Sequence, residues 1–478
     1  MLLKDLLRGL KVLNSKGSID VNIESIVYDS RNARKGSLFI CIEGFKSDGH
    51  KYIDKAVNNG AKVFIVQKDV CVPADITVIR VEDTRYALSH ISDIYFNSPS
   101  KRFPLIGVTG TKGKTTITYM IKSILEDKNQ KVGLIGTIEN SIGDEKIVAE
   151  RTTPESYDLQ GLFDKMLKNK VDSVVMEVSS HALELHRVSR SDYDIGIFTN
   201  LSRDHLDFHN TFENYLNAKV KLFDMCKNGI VNIDNPYGKE VVKKAKCPIL
   251  TFAIECNADI RATEIKMHPD SVEFTVNTPW GSSDVKVNIP GIFSVYNALA
   301  AIAACRLMNV SFEHIKAGLG RVSVPGRAEV INTDKNFTIM IDYAHSPDSL
   351  ENILSMVKGY AKGRVVSVFG CGGDRDKTKR PIMGEISGRI ADFTIITSDN
   401  PRTESPEEIL KDIEAGIEKT DSKYITIPDR KEAIKYSIEN AQKDDIIVLA
   451  GKGHETYQIF NDKTIHFDER EVIKEILT

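Results

Sequence analysis

The sequence predicts an α/β protein of three domains: an N-terminal domain, a central domain of P-loop type with a parallel sheet, and a Rossmann-like C-terminal domain. Three observations carry this reading. The chain has 478 residues, enough for about three domains at roughly 150 residues each. Short apolar runs alternate with helical segments along it, as parallel strands covered by helices do. Several of those runs end in polar, glycine-containing turns, which is where open α/β sheets bind ligands.

Residues 1–98 alternate short strands (Ser37 to Ile42, Val63 to Val66, Thr77 to Val81) with helical segments, and the turn Asn97-Ser98-Pro99-Ser100 is a linker signal. The second block, 99–327, opens on the strand Leu105-Ile106-Gly107-Val108, the loop Gly110-Thr111-Lys112-Gly113-Lys114-Thr115-Thr116 and helical periodicity from Ile117 to Leu125. It continues through strands at Val132 to Ile135, Ser173 to Met176 and Ile195 to Thr199, with a helix around Leu159 to Leu167. A β-rich insertion is expected from Ile260 to Val287, because Val272-Glu273-Phe274-Thr275-Val276 alternates. Pro325-Gly326 marks the second boundary, and block 328–478 repeats the strand–helix pattern.

The composition, 41% hydrophobic and 27% charged, is that of a globular protein. A net charge of −3 gives no reason to expect nucleic acid or an anionic membrane as partner. The N-terminus, Met1 to Gly17, lacks the apolar core of a signal peptide, and the apolar stretch from Ala298 to Val310 is broken by Arg306 and too short to span a bilayer. Seven scattered cysteines without a C-x-x-C pair argue for reduced thiols in a cytoplasm.

The chemistry begins at the glycine loop between strand and helix. Its backbone N–H groups can close around a phosphate chain, Lys114 can reach the β/γ-phosphates, and Thr115 can ligate Mg²⁺. The spacing is not the common Walker form, which would need Gly where Val108 stands. Glu177 ends the strand Val174-Val175-Met176-Glu177, where a Mg²⁺ ligand is expected beside such a loop; a helix N-terminal acid is the less favoured alternative. His205 and His209 are four apart and can share a helix face, a weak metal signal. Phe212, Tyr215, Leu216, Lys219, Leu222 and Phe223 form an apolar helical stripe. Two readings of Lys219 follow: a stem packed on the stripe with its head snorkelling out, which periodicity alone favours, or a buried, neutral amine able to take up CO₂ as a carbamate. Asn297 opens an apolar helix, Arg327 follows Pro325-Gly326, and Asp342 follows the strand Thr338 to Ile341; each on its own reads equally as a cap or turn residue. Three later strands end in Gly370-Cys371-Gly372-Gly373-Asp374-Arg375, Ser398-Asp399-Asn400-Pro401-Arg402 and Gly451-Lys452-Gly453-His454-Glu455, which together read as a substrate site.

Taken together these motifs resemble the ATP-dependent Mur ligases of peptidoglycan precursor synthesis, in particular the branch that adds the third residue of the stem peptide. The resemblance spans nearly the whole chain. It includes Tyr28-Asp29-Ser30-Arg31, Gly36-Ser37-Leu38-Phe39, Thr152-Thr153-Pro154, Met176 to His181, Thr199 to Asp207, Gly326-Arg327, Asp342-Tyr343-Ala344-His345 and the three C-terminal turns.

The resemblance implies that the first domain binds the UDP end of UDP-N-acetylmuramoyl-L-alanyl-D-glutamate, with Ser30 near the nucleotide and Thr152, Thr153, Ser179 and Arg187 on the diphosphate and sugar-peptide. It implies ATP as co-substrate, held by Gly110 to Thr116, Asn297, Arg327 and Asp342. Two Mg²⁺ sites are implied, one at Thr115 and Glu177, the other at His205 and a carbamylated Lys219. The family's modified lysine at this position reverses the preference drawn from periodicity. Lys114, Glu177, His205 and Lys219 are the implied catalytic set. The acceptor is implied to sit on Arg375, Asp399, Asn400, Pro401, Arg402, Gly451 and Glu455, and the Asp-Asn-Pro-Arg form is the version associated with meso-diaminopimelate. Leu185 departs from the family pattern, where Gln is frequent. A monomer acting on small molecules is expected. The alternatives are the lysine-adding sibling or folylpolyglutamate synthetase, which Arg402 and Asp29-Ser30-Arg31 oppose. A catalytically silent nucleotide-binding subunit is a further alternative, which the intact Lys114, Glu177, His205 and Lys219 oppose.

Overall fold

The computed structural model describes residues 1–45, 47–331 and 333–478. The chain divides into two compact units, residues 1–260 with 300–310, and residues 261–299 with 311–478.

The first unit holds two sheets. One pairs Ser25–Val27, Ser37–Ile40, Val63–Val66 and Thr77–Val81 in parallel, with Val12–Lys16 added antiparallel at the edge. The other is centred on Leu105–Thr109. Its two parallel neighbours are Ser173–Glu177 and Tyr193–Phe198, with Glu177 level with Val108 and Phe198 with Thr109. Val132–Ile135 extends the sheet on one side, followed by the hairpin Glu139–Ile142 and Glu145–Val148; Cys226–Asn232 and Ile249–Ala253 extend it on the other. Every residue of Leu105–Thr109 and Ser173–Glu177 is buried. Helices cover both faces of a parallel sheet, so such strands read as continuous apolar runs rather than alternating ones.

The second unit contains an antiparallel meander, Ile260–Met267, Val272–Thr278 and Gly281–Val287, as the alternation around Phe274 predicts. Its main sheet runs Glu329–Ile331, Thr338–Asp342, Ile446–Ala450, Val365–Phe369, Phe393–Ile396, Tyr424–Thr426, parallel except for the first strand. Helix Ile292–Leu307 begins earlier than the sequence suggests, so Asn297 lies in its second turn instead of opening it. Gly291, at φ +93°, starts the turn, and Ser294 stabilises it through Oγ to the Pro290 carbonyl at 2.9 Å.

All seven cysteines are free thiols. Among the described residues no helix is long and apolar enough to cross a membrane.

Candidate active site

The phosphate loop leaves the carboxyl end of the central strand of the first unit and runs into helix Lys114–Asp127. Gly110 has φ +151° and packs so closely on Thr199 that a Cβ there would overlap the threonine hydroxyl. Gly113, at φ +90°, turns the chain into the helix. The next strand end holds the loop in place. Thr199 Oγ1 donates to the Lys112 carbonyl at 2.7 Å, Asn200 Oδ1 accepts from Lys112 N at 2.9 Å, and Thr111 N donates to the Asn200 carbonyl at 2.9 Å. Lys114 curls over the loop, its Nζ 2.9 and 3.0 Å from the Gly110 and Thr111 carbonyls. Thr115 and Thr116 are buried in the first helical turn.

Glu177 is 1% exposed at the end of the neighbouring strand. It accepts from Thr115 Oγ1 at 2.9 Å, Thr137 N at 2.8 Å and Thr137 Oγ1 at 3.1 Å. Thr137 Oγ1 lies 3.0 Å from Thr152 Oγ1. Thr153 Oγ1 donates to the Glu177 carbonyl and accepts from Ser179 N, at 2.8 and 3.1 Å. Arg187 donates to the Thr153 carbonyl at 3.2 Å. Thr115, Glu177, Thr152, Thr153, Ser179 and Arg187, scattered over the sequence, are therefore one bonded cluster. Thr137 and Glu155 join it without having been singled out. Glu155 lies 3.2, 3.5 and 3.8 Å from the guanidinium nitrogens of Arg187, Arg151 and Arg85. Three guanidinium groups around one carboxylate leave excess positive charge for an anionic substrate. Ser30 follows the strand Ser25–Val27 of the other sheet, buried at the start of a short 3₁₀ turn, its carbonyl held by Asn59 Nδ2 at 2.9 Å.

Lys219 is 1% exposed. Its Nζ lies 4.4 Å from the centre of the Tyr215 ring, so the head does not reach solvent as snorkelling would require. Burial, reinforced by the charge of Lys114, pushes its pKa well below the ordinary value. Tyr215 also touches the phosphate loop, its hydroxyl 3.1 Å from Thr111 Oγ1. His205 and His209 do not act as a pair on one helix face. His205 precedes the short helix Leu206–His209 in a left-handed conformation, φ +51°. His209 is taken up structurally, with Nε2 2.9 Å from Ser180 Oγ and its ring stacked on Tyr215. Burial holds His205 below the usual histidine value; Asp204 opposes this and Lys114 and Lys219 add to it. Among the described residues no group of three or more His, Cys, Asp or Glu is arranged to hold a metal ion. Thr115 and Glu177 bring a hydroxyl and a carboxylate together, the oxygen donor types that Mg²⁺ takes.

In the second unit Asp342 ends its strand and accepts from Ala328 N at 2.8 Å. The Arg327 guanidinium lies 4.8 Å from the centre of the Tyr343 ring. A Cβ at Gly326 would run into the backbone of Gly453 and His454, so the Gly326-Arg327 turn lies against the last glycine turn. Asn297 is 6% exposed on its helix.

The three C-terminal turns converge. Gly373 N donates to the Asn400 carbonyl at 2.9 Å. Arg402, at φ +53°, donates through Nη1 to the Gly373 carbonyl at 2.7 Å. Asn400 Nδ2 donates to Glu455 Oε2 at 2.8 Å. Arg375 is exposed beside them, and Pro401 is buried. Behind the turns a fully buried pair fixes their spacing. Arg430 donates to Glu469 Oε1 at 2.9 Å, to the Ala450 carbonyl at 2.9 Å and to the Ser398 carbonyl at 3.3 Å. It thus ties together the residues just before Gly451 and Asp399. Neither Arg430 nor Glu469 was signalled by a motif. Glu469→Leu is expected to destabilise the protein by about 3–5 kcal/mol, because it strands a buried guanidinium. Urea unfolding of the variant beside the parent checks this.

Three family models match the chain: the Mur ligase family catalytic domain at residues 22–95, the Mur ligase middle domain at 108–305 and the Mur ligase glutamate ligase domain at 326–453. The chain belongs to the Mur ligase family. Its relatives in the family include two proteins named UDP-N-acetylmuramoyl-L-alanyl-D-glutamate–2,6-diaminopimelate ligase. The one from Caldanaerobacter subterraneus subsp. tengcongensis is 50% identical over 100% of this chain and 99% of the relative. The Clostridium acetobutylicum protein, ligase 1 of that name, is 52% identical with the same coverage. A solved structure of a ligase bearing this name has a TM-score of 0.74 and 30% identity, covering 100% of this chain and 98% of the other. The MurF ligase of Thermotoga maritima, solved in complex with ADP, shares the Mur ligase fold at a TM-score of 0.62 and 19% identity, over 95% of this chain and 96% of that one.

Proposed function

We propose that this chain joins meso-2,6-diaminopimelate to UDP-N-acetylmuramoyl-L-alanyl-D-glutamate at the expense of ATP, in the cytoplasmic synthesis of peptidoglycan precursors, with domain boundaries near residues 98 and 327. The observation that carries the reading is the bonded cluster that links the phosphate loop through Glu177 to Thr152, Thr153 and Arg187. It puts a nucleotide cradle beside an anion-binding wall along adjacent strand ends. The named relatives, alike over their full length, support it.

In this reading the loop amides and Lys114 hold the β/γ-phosphates. The D-glutamate carboxylate attacks the γ-phosphorus, ADP leaves, and an acyl phosphate forms. The acceptor amine then attacks the acyl carbon, and phosphate leaves as the amide bond closes. Thr115 with Glu177, and His205 with the carbamate of Lys219, would hold two Mg²⁺ ions, which screen the repulsion between carboxylate and triphosphate. Carbamate formation requires a neutral amine, and burial favours that form of Lys219. Asn297, Arg327 and Asp342 would contact the nucleotide, and Ser30 the uridine end. Arg402 and Arg375 take the far carboxylate of the acceptor, and Glu455 takes its far amine.

The test is ADP release with each substrate omitted in turn, together with an acceptor panel read by mass spectrometry. Release that needs both the muramoyl dipeptide and meso-diaminopimelate, with the tripeptide as product, is expected. Release independent of either would overturn the reading.

A further inference from the structure

Lys452 follows the strand Ile446–Ala450 and is completely buried (0% exposed). Its Nζ lies 3.1 Å from Glu455 Oε2, 3.3 Å from Asn400 Oδ1 and 3.7 Å from Asp399 Oδ1. Asn400 Oδ1 also accepts from Ile459 N at 3.1 Å, while Asn400 Nδ2 donates to the same Glu455 oxygen that Lys452 bonds. The asparagine amide is thus fixed at both ends, and the bonds that hold Glu455 fall on Oε2, leaving Oε1 to the acceptor. A buried ammonium is strongly disfavoured unless it is paired. Here two carboxylates pair with it, and two negative charges against one positive leave one net negative charge. The neighbouring Arg430–Glu469 pair is neutral as a whole, while the Arg402 and Arg327 guanidinium groups, which act on the same tyrosines as Glu455 and Asp399, stand outside this three-residue cluster.

One net negative charge matches one ammonium. We propose that Lys452 is a positioning residue for acceptor selection, holding Glu455 and Asn400 so that the cluster presents a single negative charge to the ammonium at the acceptor's far end, beside the Arg402 guanidinium that takes the carboxylate of the same centre. This rests on the reading of these turns as a diamino-acid site. Without Lys452 the Glu455 carboxylate loses one of its two anchors and Asp399 loses its countercharge. Discrimination between acceptors with and without the far amine then weakens.

The test uses the full chain and four variants, Lys452→Met, Lys452→Gln, Lys452→Arg and Glu455→Gln. Two acceptors are compared: meso-diaminopimelate, and 2-aminopimelate, which keeps the far carboxylate and lacks the far amine. In Lys452→Met the KM for meso-diaminopimelate is expected to rise about tenfold or more while the KM values for ATP and the muramoyl dipeptide hold. The preference for meso-diaminopimelate over 2-aminopimelate should fall about tenfold. Lys452→Arg keeps the charge and should keep most of that preference. Equal losses with both acceptors in Lys452→Met, or a parallel rise in the KM for ATP, would show support of the fold alone and overturn the proposal. If Lys452→Met does not fold, Lys452→Gln decides: an undiminished preference there overturns the proposal, and a preference that falls toward that of Glu455→Gln, with the KM for ATP held, sustains it. A parent enzyme that ignores meso-diaminopimelate overturns the functional reading itself, and this proposal with it.

Discussion

Lys219→Ala is expected to cut turnover by about a thousandfold or more while leaving a folded protein, the scale of loss when a group that stabilises transition-state charge is removed. The side chain is buried against Tyr215, and burial with the nearby Lys114 charge lowers its proton affinity. In the proposed mechanism the neutral amine adds to CO₂, releasing one proton and leaving a carbamate near His205. Formate or acetate supplied to Lys219→Ala should restore part of the activity by occupying the vacated anionic position. The stability effect has the opposite sign. The folded value lies below the ordinary 10.5, so between the two the unfolded chain carries a proton that the native state does not, and stability rises with pH across that window. At neutral pH the bare lysine therefore costs stability, and Lys219→Met should unfold at no lower a temperature than the parent. Full activity in Lys219→Ala, with an unmodified amine in the parent by mass analysis under bicarbonate, would rule the carbamate out.

Arg402→Ala should lower kcat/KM for meso-diaminopimelate by about a hundredfold, since losing a charge-paired bidentate contact costs roughly 2–4 kcal/mol. The backbone at Arg402 is tied independently of its side chain, by Arg402 N to the Ile459 carbonyl at 3.0 Å and Asn461 N to the Arg402 carbonyl at 2.6 Å. Alanine therefore removes the guanidinium and leaves the turn. Arg402→Lys should recover little, because an ammonium lacks the fork geometry. Competition between the two amino acids at equal concentration provides the check. Equal incorporation of L-lysine and meso-diaminopimelate by the parent enzyme would sink the assignment.

The sequence exposed the groups that meet ligands and concealed those that hold them. The glycine loop, Glu177 and the three C-terminal turns stand at strand ends, where apolar runs give way to polar residues, and that change of pattern is visible in one dimension. Arg430 and Glu469 are no less polar, yet nothing in their local sequence separates them from surface residues; their burial, like that of Lys452 inside the third turn, is decided by strands far away in the chain. The strands Cys226–Asn232 and Ile249–Ala253 were missed for a related reason. Each carries polar or small residues that weaken the apolar run, and each is fixed by its neighbour's register. Asn297 was misplaced because helix propensity was read from side chains, whereas the helix start was set by a backbone turn at Gly291. Periodicity correctly found the stripe containing Lys219 but suggested solvent access for its head. Only packing in three dimensions, with Tyr215 beneath it, shows the head to be enclosed.

The central strand of the first unit has a consequence for the order in which the protein comes into being. Leu105–Thr109 is made early, but both strands flanking it, Ser173–Glu177 and Tyr193–Phe198, come later in the chain. During synthesis the loop after Thr109 emerges long before Glu177 and Thr199 exist to brace it. A nascent chain that has not reached Glu177 holds an unpaired, largely apolar strand and an unbraced loop, and parallel pairing over such separations is slow. The loop is thus braced only once Thr199 has been made, and the nascent chain depends on remaining unaggregated until the third strand arrives.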